Sequence, residues 1–131
     1  MPEASIYESP AFATATEARK HITIPLPDEA TNIRFAGYRE WVAAEDLMRF
    51  EAPTDICIKH AALILPSKQL TPISAEDLAR STTHPFGRIF EDSSWFDLTK
   101  ATNVLHAGGG SHQAEIWIDQ ERGVFYYRFT D

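Results

Sequence analysis

Cysteine is nearly absent from the sequence, since Cys57 is the only one among 131 residues. A lone cysteine excludes a disulfide within the chain, and structural disulfides are typical of oxidising compartments. A chain of this length can instead bury a hydrophobic core without cross-links. These features favour a reducing compartment, and we predict a cytoplasmic protein.

Long apolar runs are also missing. The sequence contains no stretch of about 18 consecutive apolar residues, the length that a membrane-spanning helix needs. Residues 1–20 include Glu3, Glu8 and Glu17 and lack the apolar run of a secretory signal. We therefore predict neither a secretory signal nor an association with a membrane.

Basic residues are few and scattered along the chain. Twelve lysine and arginine residues stand against nineteen aspartate and glutamate residues, which gives a formal net charge of -7. Nucleic-acid binding needs a concentrated basic surface to neutralise phosphates, so the composition predicts no nucleic-acid partner. An acidic chain is compatible with a basic protein partner.

The sequence predicts an N-terminal arm followed by one domain. Residues 1–21 show no sustained hydrophobic period, so we expect an arm that is either mobile or laid against the domain. Residues 22–131 contain no linker-like segment and no internal repeat, and we predict a single α+β domain there. The segment His21–Ile24 favours a short strand, which Pro25 ends because proline donates no ladder hydrogen bond.

The first half of this domain predicts two strands and a helix. Apolar and polar side chains alternate along Thr31–Arg39, the period of a strand with one buried face. A second strand, antiparallel to the first, is predicted over Leu47–Ala52. Residues 53–55 then start a helix, because proline suits a first turn and Asp55 lies near the positive end of the helix dipole. Pro66 ends this helix.

The second half predicts a short helix, a longer helix and a hairpin. Ser74 to Asp77 has the spacing of a capping box. Residues 82–94 resemble a loop, and Trp95–Leu105 is interpreted as a helix closed by the glycines at 108–110. Glu115–Asp119 and Val124–Thr130 favour strands, with Gly123 supplying a positive φ in their connection.

Together these elements predict a two-layer α+β fold. It comprises an antiparallel sheet of about four or five strands with one main helix packed on one face. The order of the strands does not follow from the sequence.

The hairpin is dense in aromatic residues, which alternate between the two faces of the sheet. If Ile116 and Ile118 meet the helix, Trp117 and Tyr126 emerge on the opposite face. Exposed Trp and Tyr side chains offer a partner a large contact area and a polar atom. We predict a partner-binding surface formed by Tyr38, Trp41, Trp117, Tyr126 and Arg128. The alternative is a sheet covered on both faces, in which the aromatics simply pack.

The glycine-rich segment 106–112 has the most unusual local composition in the chain. An alternative ligand or metal site would consist of His84, His106 and His112. Asp92 or Asp97 could add a carboxylate, since imidazole and carboxylate groups are common metal ligands. The spacing is not diagnostic, and the usual zinc signatures are missing. The other interpretation is a surface loop, and we predict no metal and no cofactor.

Cys57 and His60 lie three residues apart at the start of the predicted helix. A helix N-terminus and a nearby imidazolium lower the pKa of a thiol, which would make Cys57 a nucleophile. The apolar neighbours Ile56, Ile58 and Ala61 favour an inert, buried thiol instead.

Two functional classes remain open. We predict a non-catalytic protein-binding module whose partner is another protein, for example a small inhibitory or toxin-neutralising protein of bacteria that masks a basic active site. The alternative is a small enzyme or ligand-binding protein with a pocket near the loop from His106 to His112. The sequence contains no nucleophile elbow, P-loop or G-x-G-x-x-G motif that would assign an enzyme class. The oligomeric state does not follow from the sequence.

Overall fold

The computed structural model describes residues 5–41, 43–81, 90, 92, 94–109 and 113–131. Within these residues the chain forms eight strands, three α-helices and a 3-10 helix at Leu98–Lys100. The strands are β1 (Ser5–Glu8), β2 (Phe12–Thr14), β3 (Thr31–Arg39), β4 (Ala44–Glu51), β5 (Thr71–Pro72), β6 (Val104–Gly108), β7 (Ala114–Asp119) and β8 (Val124–Thr130). The helices are α1 (Ala15–Ala18), α2 (Thr54–Ile64) and α3 (Ala75–Ser81).

All the strands belong to one antiparallel sheet, in the order β1-β3-β4-β8-β7-β6-β5. The strands β1 and β2 both pair with β3, β1 near its C-terminal end and β2 near its N-terminal end. The strands β1 and β2 therefore lie along the same edge of the sheet. The predicted antiparallel α+β fold is thereby observed, but the described residues contain eight strands where about four or five were predicted. Four strands were missed. Three of them, β1, β2 and β5, are four, three and two residues long, too short to show alternation, and the fourth, β6, begins in the segment predicted to be a helix.

The long strands and two of the helices lie where the sequence predicts them. The strands β3 and β4 pair directly, and β7 and β8 form the C-terminal hairpin. The helix α2 begins after Pro53 and ends at Ile64, before Pro66. The Ser74 hydroxyl accepts a hydrogen bond from the Asp77 amide at 3.1 Å, as the capping-box spacing predicts.

Two predicted elements are wrong. Trp95–Leu105 is not one helix, because Asp97 caps the 3-10 helix, Ala101 returns to an extended conformation and Asn103 takes a φ of 51° before β6 begins. His21–Ile24 is not a strand. Ile22 is instead buried in the core, and its amide donates a hydrogen bond to the carbonyl of Ala18 at the end of α1.

The sheet separates two hydrophobic clusters. On one side, called the α2 face, Cys57 and Ala61 of α2 pack with sheet residues that include Ile33, Phe50 and Phe125. The opposite side is called the cover face. There α3, the 3-10 helix and the residues beside it provide a cover layer of Leu78, Phe90, Phe96 and Leu98, which packs on Leu47, Trp117 and Tyr126. The sequence predicted one main helix on one face and left open a sheet covered on both faces; in the structure side chains pack on both.

The N-terminal residues from Ser5 to Ala18 lie against the sheet. The strands β1 and β2 pair with β3, and Phe12, Ala15 and Ala18 enter the cluster on the α2 face. None of the helices in the described parts of the chain has the length and apolar character needed to span a bilayer.

The connection between β7 and β8 depends on a buried carboxylate and a glycine. Asp119 is fully buried, and its side chain accepts hydrogen bonds from the amides of Glu121 and Arg122 and from the Arg122 guanidinium. Burial raises the pKa of Asp119, but these hydrogen bonds outweigh burial and hold the pKa below its ordinary value. Gly123 has a φ of 66°, and its carbonyl accepts from the Ala52 amide at 2.9 Å.

Gly123→Ala is expected to lower the free energy of unfolding by about 1–3 kcal/mol. Alanine at this position would have to adopt a left-handed φ, which an L-residue with a side chain rarely does, and its Cβ would lie 2.4 Å from the Ala52 carbonyl oxygen. Urea denaturation measures the loss. Glu121→Ala, at an exposed residue of the same turn, is the matched control and is expected to change stability by less than about 0.5 kcal/mol. Equal effects of the two substitutions would contradict this account of the turn.

Candidate partner-binding surface

Trp117 and Tyr126 lie on the cover face and are buried there. The ring of Phe96 meets both of them edge to face, with centroids 6.1 Å from Trp117 and 5.3 Å from Tyr126. The predicted partner-binding surface needs these two side chains accessible, and in this structure the cover layer encloses them. They contribute to the core instead.

Trp41 is the most exposed large apolar side chain among the described residues, at 74%. It lies in the turn between β3 and β4, which a hydrogen bond from the Glu40 amide to the Ala43 carbonyl closes at 2.9 Å. Tyr38, just before this turn, is half-buried, and its hydroxyl donates to Glu40 at 2.5 Å. That hydrogen bond raises the pKa of Tyr38.

Arg128 lies on the cover face of β8, half-buried. Its guanidinium is 3.9 Å from Glu45, and the β7–β8 register places it opposite Glu115. Glu45 is in turn opposite Tyr38 on β3. Tyr38 and Arg128 therefore belong to one half-buried polar band close to the turn that carries Trp41.

The strand β1 adds two exposed residues that the sequence did not single out. Ile6 is 52% exposed and lies opposite Tyr38, while Tyr7 is 39% exposed and lies opposite Gly37. Both belong to the segment expected to be an arm, and four residues are too few for a recognisable period. Ile6, Tyr7, Tyr38, Glu40 and Trp41 together are called the tip surface.

A small pocket of about 190 Å³ opens beside the tip surface on the α2 face. Its lining comprises Ser5, Tyr7, Phe35, Gly37, Arg39 and Asp46. Gly37 lines the pocket without a side chain, and a Cβ at this residue would lie 3.0 Å from the Phe35 ring. Arg39 closes one side through two hydrogen bonds, of 2.7 and 2.9 Å, to the buried carboxylate of Asp46.

Of the three predicted ligand histidines, the structure describes His106 alone. Its Nε2 lies 2.7 Å from the Glu115 carboxylate, and its ring is 5.7 Å from the Trp117 ring. His84 and His112 lie outside the described residues.

The two carboxylates proposed as metal ligands bind their own neighbours. The Thr99 hydroxyl donates to Asp97 at 2.5 Å and holds the pKa of that carboxyl below its usual range. The Ser94 hydroxyl donates to Asp92 at 2.6 Å with the same effect on its pKa. In the parts of the chain that the structure describes, no group of three or more His, Cys, Asp or Glu side chains is placed to hold a metal ion.

Cys57 is an inert thiol in this structure. It is fully buried, and burial raises its pKa to about 12, so the thiolate is negligible at neutral pH. The hypothesis of a cysteine nucleophile activated by His60 is therefore wrong. The physical reason is that α2 places Cys57 in the cluster on the α2 face, where burial disfavours the charged thiolate.

His60 is buried on the same face of α2. Its Nε2–H donates to the Pro25 carbonyl at 2.9 Å, and its ring meets Phe50 and Phe125 edge to face. Burial lowers the pKa of His60, an effect that the hydrogen bond to Pro25 only partly opposes. The imidazole is thus neutral in the folded protein and ties α2 to the segment before β3.

Stability is expected to fall as the pH drops below about 6.5, the ordinary pKa of histidine. Below that pH the unfolded chain binds a proton at His60, whereas the folded protein binds it only when the pH reaches the lower pKa of the buried imidazole. The stabilisation that neutral His60 provides is therefore complete above pH 6.5 and is lost in acid. His60→Gln keeps a donor for Pro25 and should flatten the pH dependence of urea unfolding between about pH 7 and 5. His21→Gln, at an exposed histidine, is the control. An unchanged slope in His60→Gln would refute this assignment.

The tip surface thus joins exposed apolar side chains to one carboxylate, that of Glu40, at one end of the sheet. No family model, no curated protein and no solved structure matches the chain. Any function of the tip surface is therefore inferred from its own residues. Trp41 and Tyr38 belong to the predicted partner-binding surface, whereas Ile6 and Tyr7 do not.

Proposed function

We propose that the chain is a non-catalytic protein-binding module, acting in the cytoplasm, which docks a basic protein through the tip surface. The observation that carries this proposal is the 74% exposure of Trp41, which follows β3 at the end where Tyr38 pairs with the 52% exposed Ile6. Trp and Tyr are the side chains most enriched where binding energy concentrates. A water-exposed Trp in a turn gains that energy only when a partner covers it.

The apolar residues supply the affinity in this proposal. Covering Trp41 and Ile6 removes two large side chains from water, and full burial of a side chain of that kind is worth about 1.5–3 kcal/mol. Ile6 lies opposite Tyr38, and the Tyr38 hydroxyl is already held by Glu40. The hydrogen bond fixes the Tyr38 ring before a partner arrives, so less side-chain freedom is lost on binding.

The charge of the chain favours a basic partner. The formal net charge is -7, and Glu40 carries a carboxylate next to Trp41 in the chain, while Glu45 and Asp46 at the same end of the sheet lie against Arg128 and Arg39. A negative field speeds the encounter with a positive surface and disfavours acidic proteins and nucleic acids. Inhibition follows if the basic surface is the active site of an enzyme that acts on an anionic substrate, which is how a toxin-neutralising protein would work.

Trp41→Ala is expected to weaken the complex by about 2 kcal/mol, or about 30-fold in Kd. The complex would be isolated gently from the source cells and detected by native mass spectrometry, then titrated with purified variants. Leu63→Ala is the matched control, because Leu63 is 67% exposed but lies on α2.

The proposal expects a partner with an excess of lysine and arginine, bound by the wild type and by Leu63→Ala but poorly by Trp41→Ala. A partner that Trp41→Ala binds as tightly as the wild type would overturn it. An acidic partner would remove the electrostatic part of the argument as well.

A further inference from the structure

Within the described residues, one ring nitrogen of His60 has a hydrogen-bond partner and the other has none. The carbonyl oxygen of Pro25 can only accept a hydrogen bond, so Nε2, which lies 2.9 Å away, carries the one proton of the neutral ring. Nδ1 therefore has a free lone pair and can accept a hydrogen bond. Most buried polar side chains use their hydrogen-bonding atoms, so this unused acceptor is unusual.

The Nδ1 atom of His60 remains open to solvent. His60 as a whole is only 6% exposed, yet Nδ1 is not among the side-chain atoms of the described residues that are both unpaired and enclosed. The opening that His60 lines is a pocket of about 230 Å³ between α2 and the segment before β3. Its lining comprises Pro27, Glu29, Ile56, Lys59, His60 and Leu63. The pocket and the unused acceptor therefore belong to one site.

We propose that this pocket binds a small neutral molecule whose apolar ring carries one hydrogen-bond donor, such as a phenol. The donor bonds to Nδ1 of His60. The ring packs against the apolar walls that Pro27, Ile56 and Leu63 provide. Pockets for drug-sized ligands usually have volumes of about 300–1,000 Å³, so this smaller pocket suits a single ring.

The charged residues of the pocket favour a neutral ligand. Glu29 and Lys59 are both exposed and have opposite charges, so neither a cation nor an anion gains a clear net attraction. A ligand that offers only acceptors would place a lone pair against that of Nδ1 and form no hydrogen bond there. None of the lining residues belongs to the tip surface, so this site is independent of the proposed docking of a protein.

The test is a titration of the full chain with phenol, followed by NMR of the backbone amides and of the His60 ring nitrogens. Saturable shifts are expected at the amides of Ile56 and Leu63 and at the Nδ1 signal of His60. A titration without saturable shifts would overturn the proposal, as would saturable shifts that leave the Nδ1 signal unchanged.

A comparison of two ligands and two variants separates the hydrogen bond from the apolar contacts. Methoxybenzene has the same ring as phenol, but its oxygen carries no hydrogen to donate. His60→Phe keeps a ring beside Phe50 and Phe125 and removes the acceptor. The ratio of the phenol affinity to the methoxybenzene affinity should fall by about two- to tenfold in this variant. An unchanged ratio would refute the hydrogen bond, and if His60→Phe does not fold, the Nδ1 signal of the wild-type chain decides.

Ile56→Ala removes part of the apolar wall and should weaken the binding of both ligands by about threefold or more. Ile58→Ala is the matched control, because Ile58 is exposed on the same helix and lies outside the lining of the pocket. It should leave both affinities unchanged. Thermal unfolding verifies that the two variants are folded. Equal weakening by the two substitutions would show that the ligand binds elsewhere.

Discussion

The pairing of β4 with β8 holds the structure together. Each belongs to a hairpin that is local in sequence, β3–β4 and β7–β8. Their seven-residue register from Glu45↔Thr130 to Glu51↔Val124 joins the two hairpins into one sheet. Both hydrophobic clusters straddle this seam. Phe50 and Phe125 stack across it on the α2 face with centroids 4.6 Å apart. On the other face Leu47 and Tyr126 support the cover layer. A break at the seam would divide both clusters.

The sequence predicts well where alternation is long and turn chemistry is specific. The strands β3, β7 and β8 each run for six residues or more, and the glycine after the Asp119 turn adopts the positive φ expected of it. Prediction fails where a tertiary contact decides the conformation. The strand β6 exists because it pairs with β7, after an asparagine at 103 in a left-handed conformation that its sequence does not announce. The short edge strands depend on β3 and β6 in the same way.

The candidate site likewise has one part that the sequence predicts and another that depends on tertiary contacts. Alternation correctly places Trp117 and Tyr126 on the face opposite α2, but it does not reveal whether that face is covered. The cover layer comes from α3 and irregular residues near the 3-10 helix, which have no period to read. Trp41 is different, because a large apolar residue in a turn has no strand neighbour to bury it. Ile6 and Tyr7 became visible only when β1 was seen to pair with β3.

The topology also places constraints on the order of assembly. The strand β8 follows all the others in the chain, yet it lies in the middle of the sheet, between β4 and β7. Its contacts with β4 close a loop of more than seventy residues, and such distant pairings make folding slow. Until β8 is available, β4 remains an unprotected edge bearing Met48 and Phe50. A nascent chain at that stage exposes an unpaired, apolar strand and is prone to aggregate. This protein is therefore expected to depend on chaperones during synthesis more than its small size suggests.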